Sequence, residues 1–284
     1  MPQREGVIGD SEKIIDHWQR GGIMDAILAA LAEAGCDVND LSIDDISPLD
    51  HLYGRGLEAT EELLVRLNFE PDHWVLDIGS GIGGPARYVA SRFGCRVDGI
   101  DLTQEFCDVA EELTRRVDLS NRIEFRQGDA LALPFGDMSY EHAYTQNVSM
   151  NIANKALFYS EAFRVLKPGG LLAAAELVKG PAGELIYPMP WAETPTTSFL
   201  ADMDETRKTL EQIGFEIVEF NDTTKTMLEF YERARAKLEA EGPPILGVHV
   251  VLGPSAKKKL QNSARSIEQG RIIPLEVVCR RPAV

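Results

Sequence analysis

Two aspartates bracket a run of glycines in this chain. Asp77 precedes Gly79-Ser80-Gly81-Ile82-Gly83-Gly84, and Asp101 follows after a second apolar stretch. Glycines at such a turn let backbone N–H groups and a helix N-terminus approach a ligand closely. A carboxylate about 20 positions past the loop is placed to hold ribose hydroxyls. The pattern predicts a site for a nucleoside-containing small molecule. The rival reading is a turn that merely packs a strand against a helix, and Asp101 weighs against it.

The glycine spacing leaves the ligand open. Gly79, Gly81 and Gly84 satisfy G-x-G-x-x-G, the dinucleotide fingerprint. Gly79, Gly81 and Gly83 satisfy G-x-G-x-G, the form seen in S-adenosylmethionine enzymes.

The elements that must position these residues follow from apolar periodicity. Residues 11–34 read as two short helices broken at Gly21-Gly22, and 35–50 as acidic and irregular. A helix over 57–67 leads into the first strand. Strands are expected at 74–79, 95–100, 122–127, 139–146, 171–178, 215–220 and 271–280, with helices at 84–93, 103–118, 154–166 and 202–213 between them. The turn Lys167-Pro168-Gly169-Gly170 should end the helix before it. This is an α/β chain with a Rossmann-like doubly wound sheet of about seven strands, and its ligand should sit beyond the strands' carboxyl ends. The last strand is expected antiparallel. Gly180–Leu200 reads as a long lid-like connection. Two helices, Lys225–Glu241 and Ser255–Glu268, are expected to flank an apolar piece, Ile245–Leu252. The expected organisation is an N-terminal helical lid (1–50), a core (51–222 and 269–284) and a helical cap inserted at 223–268.

The bulk numbers narrow the partners. A net charge of −16 over 284 residues argues against nucleic acid or an anionic membrane surface. Cys36, Cys95, Cys107 and Cys279 are scattered, with no C-x-x-C and no metal-ligand spacing, so no metal is expected. A polar N-terminus and no long apolar run predict neither signal peptide nor membrane span, and hence a cytoplasmic setting. The sequence does not specify an oligomeric state.

Three segments bear on the cofactor: Val75–Gly84, Gly128-Asp129-Ala130 with Leu133-Pro134-Phe135, and Glu161–Gly170. Together they resemble the class I S-adenosylmethionine-dependent methyltransferases. The likeness is closest to the small-molecule branch of sarcosine/dimethylglycine, phosphoethanolamine and ubiquinone-type enzymes, and it covers about residues 51–220. The resemblance implies S-adenosyl-L-methionine as cofactor. Asp77 and Gly79-Ser80-Gly81 would flank its methionine part, with Gln146 facing the same part. Asp101 would hold both ribose hydroxyls and Leu102 would pack on the adenine. Asp129 and the Ala130 N–H would meet the adenine edge. Leu52, Tyr53 and Trp18 would close over the site. The implied reaction is methyl transfer to a small-molecule substrate, an amine or related metabolite. The alternatives are an O- or C-methyltransferase for a quinone or polyketide-like product, an NAD-dependent dehydrogenase, and a non-catalytic binding module.

Candidates for proton transfer are His51, Glu176 and His249, against the bland reading of each as a packing or surface group. His17 flanks the same lid. The phosphoethanolamine enzymes carry a catalytic histidine where this chain has Asn151, which favours a nucleophile that needs no strong base. Tyr187, Trp191, Phe199, Phe230 and Tyr231 supply aromatic surface for an acceptor.

Overall fold

A computed structural model describes residues 11–52 and 54–283. The first strand, β1 (Trp74–Ile78), is buried along all but its first residue, as its apolar residues require for a strand covered on both faces, and Asp77 is buried with them. Around it form β2 (Arg96–Asp101), β3 (Ile123–Gln127), β4 (Tyr140–Gln146), β5 (Leu166–Lys179), β6 (Glu216–Asp222) and β7 (Ile272–Arg280). Their spatial order is β3-β2-β1-β4-β5-β7-β6. β1 to β5 pair in parallel, and β7 runs antiparallel between β5 and β6. The chain steps outward from β1 to β3 and returns to the other side of β1 as β4. The crevice at that switch point is where an open α/β sheet binds ligands.

Helices cover both faces. α4 (Gly56–Leu64), α5 (Gly84–Phe93) and α6 (Gln104–Arg116) pack on one, through Leu63, Val89 and Ala110. α7 (Lys155–Val165) and α8 (Met203–Ile213) pack on the other, through Phe158, Ala162 and Leu210. The N-terminal part comprises helical residues 11–18 (α1), α2 (Ile23–Glu33) and α3 (Ile43–Asp50). Ile27, Leu31, Ile46 and Leu49 join α6 in a third apolar cluster. The Gly21-Gly22 break is fastened by Glu105, whose carboxylate accepts from Gly21 N (2.8 Å) and Ile23 N (3.0 Å). Between β6 and β7 stand α9 (Thr224–Glu241), the one-turn α10 (Val248–Leu252) and α11 (Ala256–Glu268).

Two local expectations need correction. Residues 35–50 are not irregular throughout, since α3 starts with a capping box. Ser42 Oγ accepts from Asp45 N and Asp45 Oδ2 accepts from Ser42 N. Aspartate stands where the usual pattern has glutamate or glutamine, and Pro48 falls inside the helix. Lys167–Gly170 ends α7 but lies within β5, as a bulge in its pairing with β4. Gly169 takes φ 84° there, and a Cβ on Gly170 would stand 2.6 Å from Glu141 O. The 180–200 connection is irregular as expected, with one 3-10 turn at Pro195–Thr197. Among the described residues no helix is long and apolar enough to cross a membrane.

Candidate functional site

The carboxyl ends of β1, β2 and β4 open into a cavity of about 990 Å³. Its floor is the glycine loop. Gly79 N and Ser80 N both donate to Ile100 O, at 2.7 and 3.0 Å, which ties the loop to β2. Asp101, at the end of β2, accepts from Gly81 N and Thr103 N, each at 2.9 Å. Burial raises its carboxyl above the ordinary range, and these backbone donors work against that rise. Gly79 has φ 77°, and a Cβ on it would run into the side chain of Val148.

Arg87 fixes the loop from behind. It is fully buried, and all five of its N–H bonds are used. Nε donates to Asp50 Oδ2 (3.1 Å), and Nη2 donates to Asp50 Oδ1 (2.6 Å) and Ile82 O (2.5 Å). Nη1 donates to Ala110 O (3.1 Å) and Thr114 Oγ1 (2.8 Å). One guanidinium thereby joins the loop, α3 and α6. Arg87 falls within the helix expected over 84–93, and no motif marks it. Its signal is a lone cation beside Ala86 and Ala90, on the stripe that faces the sheet.

Trp18, Leu52, Asp77, Gly79, Ser80, Gly81, Asp101, Leu102, Asp129, Ala130 and Gln146 all line the cavity. Tyr53 lies outside the described residues. Asp77 is buried and accepts from Tyr144 Oη at 3.0 Å. Burial pushes its carboxyl up to about 8. A cation at this end of the cavity would draw it back to the ionised form. Asp129 holds its own turn, Oδ1 accepting from Leu131 N at 2.8 Å. Gln146 reaches Thr60 Oγ1 at 3.4 Å. Trp18 Nε1 donates to Asn151 Oδ1 at 3.2 Å, and Asn151 Nδ2 donates to the Trp191 and Thr197 carbonyls. Asn151 therefore joins α1 to the 180–200 connection. His17 Nε2 meets Pro190 O at 2.8 Å.

The three proton-transfer candidates separate. His51 is on the cavity wall, Nδ1 3.0 Å from Thr60 Oγ1, and burial lowers its pKa to about 4. Glu176 is not on the wall. It sits behind the Ser149–Asn151 turn, Oε2 accepting from Ser149 N at 3.0 Å, and burial raises it to about 7. His249 is also off the wall. On α10 the i, i+4 pair Val248 and Leu252 faces the cavity, which turns the residue after Val248 away.

The walls fit a nucleoside bearing an amino-acid tail. Ser80 Oγ and Asn147 Oδ1 are buried cavity-lining atoms without a hydrogen-bond partner, and such atoms favour a ligand that satisfies them. Val148 packs against Gly79 and Leu52 lies near Gly81, so a side chain on Gly79 has no room at this floor.

A match to the methyltransferase domain family covers residues 76–174, the span from β1 to β5 that builds this floor. That span is similar to a methyltransferase domain. Methyltransferase GfsG of Streptomyces halstedii is 29% identical over 184 residues, which is 64% of this chain and 66% of that protein. Phosphoethanolamine N-methyltransferase 1 of Arabidopsis thaliana is 29% identical over 196 residues, 66% of this chain but 37% of that protein. The chain thus spans under two thirds of the length of these relatives. The Haemonchus contortus phosphoethanolamine N-methyltransferase 2, solved with S-adenosyl-L-methionine, superposes with a TM-score of 0.71 at 21% identity, over 95% of this chain and 60% of that one. That likeness shows the methyltransferase fold. These matches do not favour the dehydrogenase that the glycine spacing left open. Cap helices α9 to α11 lie outside the methyltransferase family match.

Proposed function

We propose that the chain transfers a methyl group from S-adenosyl-L-methionine to a small-molecule acceptor. The observation that carries this reading is one continuous cavity lined both by Asp101 and the Gly79–Gly81 loop and by the cap. Asp101 would take the ribose hydroxyls, Asp129 and Ala130 N–H the adenine edge, and Leu102 its face. Asp77, Ser80 and Gln146 would surround the methionine part. When bound, the cofactor supplies a methyl group on cationic sulfur, which a nucleophile on the acceptor displaces in line.

The chain's own work is positioning and exclusion of water. Trp18 and Leu52 cover the floor, and the Arg87–Asp50 pair holds the loop beneath them. His51 is the one histidine that the described residues place on the wall. Held neutral with a pKa of about 4, it is a poor acceptor of protons at neutral pH. The site therefore suits a nucleophile with no proton to lose, such as a thioether or a tertiary amine in its free-base form. Residues 1–50 act as the lid, 51–222 with 269–284 as the core and 223–268 as the cap in this scheme.

Thermal unfolding with S-adenosylhomocysteine and, separately, NADH tests the reading. At about 100 times Kd, S-adenosylhomocysteine should stabilise by about 2.7 kcal/mol, raising Tm by about 5–10 °C. Stabilisation by NADH with no response to S-adenosylhomocysteine would overturn it.

A further inference from the structure

The cap walls part of this cavity. Met227, Phe230 and Leu238 of α9, Leu252 of α10, and Leu260 and Ile267 of α11 line it. Trp191 closes it from the 180–200 connection. Charge is scarce where these elements face the cavity. Arg235 is the one charged side chain that α9 to α11 place on the wall among the described residues, and its guanidinium is paired with Glu268. Tyr231 hydrogen-bonds Ser263 within the cap. The carboxylates on the wall are Asp77, Asp101 and Asp129 and those of α3. Of these, Asp50 is occupied by Arg87.

A carboxylate or phosphate acceptor would need a cation here, and an ammonium zwitterion would need opposite charges on both sides. The two cations on the wall are already engaged, Arg235 of the cap with Glu268 and Arg55 with Glu62 and Glu276, and desolvating an ion against apolar walls is costly. The rim is apolar too: Leu238 is 50% exposed and Leu260 37% exposed, though both line the cavity. Exposed leucines on a cavity wall suit an apolar molecule entering there. The volume is at the upper limit of ordinary ligand pockets, about 300–1,000 Å³, so a nucleoside cofactor leaves room for a second molecule of several rings.

We infer that the acceptor is an uncharged, predominantly apolar molecule of ring-system size, seated between α9 and α11, and not a small charged amine or amino acid. This rests on the methyl-transfer reading for its purpose. The chamber itself can be tested without it.

The probe is Nile red, a neutral polycyclic dye, titrated by fluorescence into protein with and without saturating S-adenosylhomocysteine. The expected result is one saturable site in both conditions. Leu238→Glu and Leu260→Glu, each on the exposed rim, should weaken dye binding at least tenfold and leave S-adenosylhomocysteine affinity unchanged. Sarcosine and phosphoethanolamine at millimolar concentration should neither displace the dye nor be methylated. Absence of saturable dye binding, unaltered binding in both variants, or displacement by either charged amine would overturn the inference. Dye binding without any S-adenosylhomocysteine binding would instead sink the methyl-transfer reading and leave the apolar chamber standing.

Discussion

Replacing Asp101 with alanine removes the carboxylate at the junction of β2 and the glycine loop. Two losses follow. The ribose hydroxyls lose a charged acceptor, at about 1.5–3 kcal/mol for each hydrogen bond. Gly81 N and Thr103 N, each 2.9 Å from this carboxylate, lose theirs as well. Two ribose bonds give about 3–6 kcal/mol, and water entering the vacated space offsets part of it. We expect S-adenosylhomocysteine affinity to fall by at least about 100-fold, which corresponds to roughly 2.7 kcal/mol. Titration calorimetry reads this directly, with circular dichroism to show that the variant is folded. The pH dependence is a second signature. Burial raises the Asp101 carboxyl, and ligand binding needs its ionised form. Affinity should therefore decline on acidification at a higher pH than an ordinary carboxylate would give, and Asp101→Asn should lack that decline. A folded Asp101→Ala protein within about threefold of the parent affinity would refute the ribose assignment and the arithmetic built on it.

Two further perturbations probe the frame around the site. Arg87→Met strands the Asp50 carboxylate in the interior, which should cost about 3–5 kcal/mol in urea unfolding, and a loss below about 1 kcal/mol would show that the clamp is dispensable. Glu176 titrates at about 7 in the fold against an ordinary 4.5, so the folded state holds this proton more tightly than the unfolded chain. Its contribution to stability is complete below pH 4.5 and is lost as pH rises through about 7. Glu176→Gln should remove about 2–3 kcal/mol of that decline between roughly pH 5 and 8, and equal pH slopes for the two proteins in chemical denaturation would argue against it.

What the sequence disclosed was mostly local. The glycine loop, Asp101 and the strand–helix alternation depend on neighbours within about one βα unit, so periodicity and spacing expose them. α3 was hidden because an aspartate completes its capping box and a proline sits inside it. The Arg87 clamp was hidden for a different reason. Its partners Asp50, Ile82, Ala110 and Thr114 come from three elements, and no spacing rule joins them. His249 looked favourable in an apolar segment of the cap. Its position depends on which face of a single helical turn packs inward, a choice made by tertiary contacts of Val251 and Leu252. The character of the acceptor chamber was likewise a product of packing between segments far apart in the chain.

The placement of β7 has a consequence for how the chain reaches this fold. β7 is made after every other strand, yet it lies inside the sheet and bonds β5 on one side and β6 on the other. During synthesis β6 therefore emerges with no strand to pair with, and so do the three cap helices that follow it. An unpaired β6 edge and the apolar faces of α9 and α11 stay available to other chains until residues 272–280 leave the ribosome. The strands under the glycine loop, β1 to β5, are all made before that moment. The segments that carry the glycine loop are thus made first, while the cap that walls the acceptor chamber waits for β7 to take its place between β5 and β6.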